Sequence, residues 1–129
     1  PFLHAEMAHP NYDFALYYAG VLSSNVIDWL TNQKVDVLVA PDYDPVGLSQ
    51  YEKTRRTMDS KLWVPEDIGI MFHKFHKKET LSKKNNRSFL LSLIESSDLA
   101  NDTIQILDLI SEYQAGLDQE IFYPVHSEI

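Results

Sequence analysis

The chain has 129 residues, enough for one domain that buries roughly two-thirds of the surface its unfolded form exposes. A hydrophobic fraction of 44% argues against intrinsic disorder, and the lack of cysteine excludes disulfides, thiol nucleophiles and thiolate metal sites. A formal net charge of −8 speaks against nucleic-acid binding by the surface as a whole, and no apolar run nears the roughly 20 residues needed to cross a bilayer.

The chain opens at Pro1, directly in apolar sequence and without a secretory signal pattern. It reads as one domain over 1–129, taken from the C-terminal part of a longer protein. The lack of cysteine agrees with a cytoplasmic protein, and no membrane partner is expected.

In chain order, FALYYAG (14–20) reads as a short buried strand that stops at Gly20. LSSNVIDWLTNQ (22–33) places Leu22, Val26, Trp29 and Leu30 at helical spacing, with Ser23 or Ser24 as the cap. VDVLVA (35–40) is β-branched and almost wholly apolar, as a strand covered on both faces would be. PVGLSQYEKTRRTM (45–58) starts with proline at a natural first helical position, and KLWV (61–64) reads as another short strand. Strand, helix, strand, helix, strand is the pattern of parallel units in an α/β domain.

After Pro65 the chain turns helical. PEDIGIMFHKFHKK (65–78) has the proline and acids of a helix start. RSFLLSLIESS (87–97) and ANDTIQILDLISEYQAG (100–116) are amphipathic, with Gly116 as a stop for the second. KKETLSKKNNR (77–87) reads as a polar basic loop or a frayed turn. The fold class expected is α/β, a parallel sheet flanked by helices with a helical C-terminal third.

Charge is unevenly spread. All but one of the eleven Lys and Arg lie between Lys53 and Arg87, whereas 88–129 holds eight acids and no Lys or Arg. A local phosphate-binding face is therefore compatible with the acidic whole, and its candidates are Arg55, Arg56, Lys77, Lys78, Lys83, Lys84 and Arg87. His73 and His76 can share a helix face as zinc ligands, but no third ligand stands at a recognisable spacing, which favours a partly exposed basic helix. Ser23 and Ser24 read as caps rather than phosphate contacts. Tyr17, Tyr18 and Tyr43 lie in or beside apolar strands and read as core.

Asp42 and Asp44 fall where the strand 35–40 ends, the side of an open parallel sheet where ligands gather. Two carboxylates there can share a hard cation such as Mg²⁺, which prefers oxygen ligands and keeps several waters. Asp44 followed by Pro45 is equally a plain helix cap and first-turn pair. Spacing alone leaves both readings standing.

The segment VDVLVAPDYDPVGLSQY (35–51), preceded by ALYYAGVLSSNVIDWL (15–30), resembles the Toprim domain. The likeness is to the branch found in the A subunit of topoisomerase VI and the nuclease subunit of Wadjet plasmid-defence systems. Asp42, Asp44, Pro45 and Gly47 match that branch's strand-ending Asp-x-Asp-Pro-x-Gly, and the likeness covers about residues 1 to 64. The resemblance implies a Toprim-like sheet and a Mg²⁺ (or Mn²⁺) site built from Asp42, Asp44 and a glutamate at the end of the first strand, for which Glu6 is the candidate.

It further implies phosphodiester chemistry on DNA, as a nuclease or a topoisomerase-like strand-cleaving domain. A winged-helix domain in the full-length protein and a partner subunit are implied with it. AGLDQEIFYP (115–124) resembles the closing LEQE element of the Wadjet subunit, with Asp118 in place of the first acid, which would bring Glu120 near the metal site. A Toprim-fold binding or structural module without catalysis, within a DNA-associated complex, is the competing expectation.

Overall fold

The computed structural model describes residues 14–16 and 37–122, together with Asn25, Asp28, Trp29 and Asn32. Among these residues, three short strands form one parallel sheet in the order β1 (Phe14–Leu16), β2 (Val37–Val39), β3 (Ser60–Leu62). The register aligns Phe14 with Val37 and Val37 with Ser60. All three residues of β2 are buried, which is why this segment reads as an unbroken apolar run rather than an alternating one. The expected adjacency of the strands near 14–19 and 35–40 is present, and the third strand spans 60–62 rather than the expected 61–64. The helix expected at 22–33 is represented by helical Asn25, Asp28, Trp29 and Asn32, and the rest of it lies outside the described residues. So do Tyr17, Tyr18, Ser23 and Ser24.

Between β2 and β3 runs α1 (Pro45–Thr57), with Asp44 as its cap. The start of this helix is unusually close to the strand end. A Cβ on Gly47 would sit 2.1 Å from the backbone oxygen of Asp42, a contact only glycine avoids. After β3 come α2 (Ile68–Phe75), a 3-10 turn (Lys78–Ser82), α3 (Lys84–Glu95), α4 (Asn101–Tyr113) and a second 3-10 turn (Gln119–Phe122).

The helical third thus has three helices among the described residues; α2 and α4 are shorter than their sequence segments, and α3 starts three residues before its segment and ends two residues short of that segment's end. α2 ends at Phe75 because His76 is extended and the Lys77 backbone is committed elsewhere, exchanging two hydrogen bonds with Gly116. The basic segment 77–87 is more ordered than a loop. Buried Asn86 donates to the Thr80 carbonyl and accepts from Val46 N–H, tying the starts of α3 and α1 together. α4 stops at Gln114, in the left-handed conformation at φ 51°, and not at Gly116. Gly116 instead permits a close approach, since a Cβ there would meet the Thr80 methyl at 2.7 Å and the Tyr43 carbonyl at 3.1 Å.

The core lies between the sheet and the helices. Tyr43 is fully buried, with its ring near Phe72 (6.4 Å) and Phe122 (6.0 Å), and its hydroxyl donates to the Trp63 carbonyl. Leu48 of α1, Phe72 of α2 and Ile106 and Ile110 of α4 belong to the same buried cluster. Glu52 is also buried, and it is fully engaged. It accepts from the Arg55 guanidinium, the Thr103 hydroxyl (2.6 Å) and Ala100 N–H (3.2 Å). Burial alone would raise its pKa, but these donors more than offset that and hold it below the ordinary glutamate value.

Two glycines suggest opposite outcomes for one substitution. Gly47→Ala forces either the helix or the strand end to move and lowers stability by about 3 kcal/mol, the upper part of the overpacking range. Gly69→Ala in α2, where an added methyl meets nothing within 4 Å, raises stability by about 0.5 kcal/mol through the unfolded state. Urea unfolding of the two variants measures both.

Candidate metal centre at the end of the central strand

Beyond β2, Ala40 and Pro41 remain buried and the chain turns so that the Asp44 N–H reaches the Asp42 carbonyl at 3.0 Å. Tyr43 points into the core, leaving the carboxylates on either side half-buried. Each carboxylate is held by a single oxygen. Asp44 Oδ1 accepts from Gly47 N–H at 2.7 Å, which makes Asp44 a true helix cap. Asp42 Oδ1 accepts from Gln119 N–H, also at 2.7 Å. Neither Oδ2 has a hydrogen-bond partner among the described residues.

The donor to Asp42 arrives from a distant part of the chain. Residues 116–119 form a strap that crosses the strand end. Leu117 exchanges two backbone hydrogen bonds with Tyr43 (2.8 and 3.0 Å), and Gly116 exchanges two with Lys77 (2.8 and 3.0 Å). Gln119 then donates from its backbone to Asp42 and from its side-chain Nε2 to the Pro41 carbonyl at 2.7 Å. Its Oε1 is buried without a partner among the described residues. Such an orphan acceptor costs on the order of 1–3 kcal/mol.

The electrostatics follow from this crowding. Burial pushes the Asp44 pKa up to about 6, the charges of Asp42 and Asp118 add to the shift, and Gly47 N–H and Lys83 oppose it. Asp42 is likewise raised, first by burial and then by Asp118 and Glu120, against Gln119 N–H and Lys77. Four acids, Asp42, Asp44, Asp118 and Glu120, therefore act on one small region. Residues 115–122 bring Asp118 within electrostatic reach of both aspartates and Glu120 within reach of Asp42. Gln119, between them, stands at the glutamine of the LEQE likeness, but nothing in the sequence marked it as a donor to Asp42, 77 residues away.

The basic candidates divide. Lys77 pairs with Asp118, and Lys83 caps α3 close enough to bear on Asp44. Lys78 and Lys84 are exposed on the same basic segment, and Arg87 donates to the Ser82 carbonyl. Arg55 and Arg56 belong elsewhere. They lie in the last turn of α1, roughly 17 Å along the helix axis from Asp44, where Arg55 and Arg56 pair with Glu52 and Arg56 also with Asp98. His73 and His76 pack against Tyr113, with ring centroids at 6.2 and 5.1 Å.

Glu6 lies outside the described residues. Among those described, no group of three or more His, Asp or Glu is placed to hold a metal. The donor set at hand is two carboxylates, each with one oxygen pinned and one open, inside a negative field. That set fits a hard divalent cation that completes its shell with water or phosphate oxygens, and it does not fit a closed structural zinc site. No protein-family model, curated protein or solved structure matches the chain.

The raised Asp44 pKa sets a pH dependence. Its folded value of about 6 exceeds the ordinary 3.8, so stability is full below about pH 4 and declines as pH rises through about 6. Asp44→Asn keeps a good cap but carries no charge. Without divalent metal, it is more stable than the native chain by about 2 kcal/mol at pH 8 and equal to it at pH 4, as read by chemical unfolding at the two pH values.

Proposed function

We propose that the chain is a Toprim-like domain that binds Mg²⁺ or Mn²⁺ through Asp42 and Asp44 and serves metal-dependent phosphodiester chemistry on DNA. The observation that carries this reading is the pair itself. Two carboxylates at the C-terminal edge of the central parallel strand each have one oxygen fixed and the other open, in a place where charge is costly without a cation. A bound divalent ion would neutralise that charge and, on a phosphodiester, polarise the phosphoryl oxygen.

The residues have separable parts in this reading. Asp42 and Asp44 hold the cation, and Gly47 lets the helix start close enough for Asp44 to be capped in place. Glu6 is the proposed third acid, as ligand or general base. Lys77, Lys78, Lys83 and Lys84 supply positive charge beside the acids, where a phosphate backbone would pass. A winged-helix domain and a partner subunit belong to the same proposal for the full-length protein. The net charge of −8 favours one other reading, a Toprim-fold module in a DNA-associated complex that binds without cleaving.

Mn²⁺ relaxation separates these readings at their first step: the native chain binds weakly, and Asp42→Asn does not bind. Equal binding by both removes the assignment. In the full-length protein, Asp42→Asn abolishes Mg²⁺-dependent cleavage while DNA binding is kept or tightened, because a negative charge beside the phosphate is gone. Retained cleavage would place the active site elsewhere.

The basic segment is tested by salt. Each phosphate contact contributes about −0.9 to the slope of log affinity against log salt on duplex DNA. Neutralising Lys77, Lys78, Lys83 and Lys84 together flattens that slope, whereas neutralising Arg55 and Arg56 leaves it unchanged and lowers stability through Glu52.

A further inference from the structure

Gln119 makes two hydrogen bonds to consecutive residues of the strand end, from its side chain to the Pro41 carbonyl and from its backbone to Asp42 Oδ1. The strap does not need the first of these to reach its position. Two residues earlier, Leu117 is already paired with Tyr43, and Gly116 with Lys77. The side chain is fully buried, and a methionine of similar length would fill its place, removing the stranded Oε1 while leaving the Pro41 carbonyl without its donor. What an apolar residue lacks is the directional donor to Pro41.

We infer that Gln119 is a positioning residue of the metal centre. Its side-chain amide locks the strap against Pro41, so that its own N–H holds Asp42 Oδ1 and Oδ2 is left as the ligating oxygen. The inference rests on the reading of Asp42 and Asp44 as metal ligands. It goes beyond that reading by making the ligand geometry depend on an uncharged residue far along the chain.

The test has one readout that needs no metal and one that does. In Gln119→Met the fold and its melting temperature are retained, while the amide of residue 119 exchanges with solvent about tenfold faster, as expected for a loosened hydrogen bond. Mn²⁺ affinity falls about tenfold or more, the usual effect of removing a group that orients a ligand, and the Mn²⁺ resonance lines broaden. Gln119→Leu likewise removes the donor without adding a charge, and it shows the same two changes.

Unchanged exchange at residue 119, or unchanged Mn²⁺ affinity, in both variants overturns the positioning role. Failure of both variants to fold would make Gln119 a core residue and overturn it as well. A native chain that binds no Mn²⁺, with exchange still faster in the variants, would instead refute the metal reading and leave Gln119 as a purely structural clamp on Asp42.

Discussion

The distance between the Gly47 backbone and the Asp42 carbonyl constrains everything at the strand end. With no side chain at Gly47, α1 begins almost on top of β2, and a Cβ there would stand 2.1 Å from that oxygen. The close start puts Asp44 in capping position, turns Tyr43 into the core and leaves Asp42 beside the path of the strap. Gly116 repeats the device on the other side. Only a residue without a side chain lets the strap pass Thr80 and the Tyr43 carbonyl closely enough to pair with both Tyr43 and Lys77.

Two kinds of acid in this protein show what the site gives up. Glu52 exposes less surface than either aspartate, yet its pKa is lowered, because Arg55, Thr103 and Ala100 all donate to it. Asp42 and Asp44 each have one donor and several negative neighbours, and both are raised. Burial acts in the same direction on all three, so the sign is set by whether donors and cations outweigh it, as they do at Glu52, or neighbouring acids add to it, as they do at Asp42 and Asp44. An acid placed only for stability would be furnished as Glu52 is. The under-furnished pair, with the stranded Gln119 Oε1 beside it, is the feature on which the proposed metal site rests.

The basic segment and the acidic C-terminal part, distinct along the chain, meet in the fold. Lys77 pairs with Asp118, and the field of Lys83 reaches Asp44. Net charge therefore says little about this region, where cations and carboxylates alternate over short distances. Arg55 and Arg56 belong to the same basic stretch in sequence, but the length of α1 carries them to its far end, where they neutralise the Glu52 network instead.

What the sequence determined by itself is local. Proline after aspartate, a β-branched apolar run and amphipathic spacing each act within a few residues, so the central strand, the cap at Asp44, the start of α1 and the parallel order could be read directly. The ends of the later helices could not, because they are decided by partners elsewhere. His76 leaves α2 as Lys77 pairs with Gly116, and segment 77–87 is ordered by Asn86 reaching Val46 and Thr80. The same holds for the site. Its two aspartates were visible as a motif, but the donor that fixes Asp42 comes from 77 residues away. Hydrogen bonds of that span are created only when strap, strand and helix pack together, and so the choice of which oxygen stays open belongs to the tertiary structure.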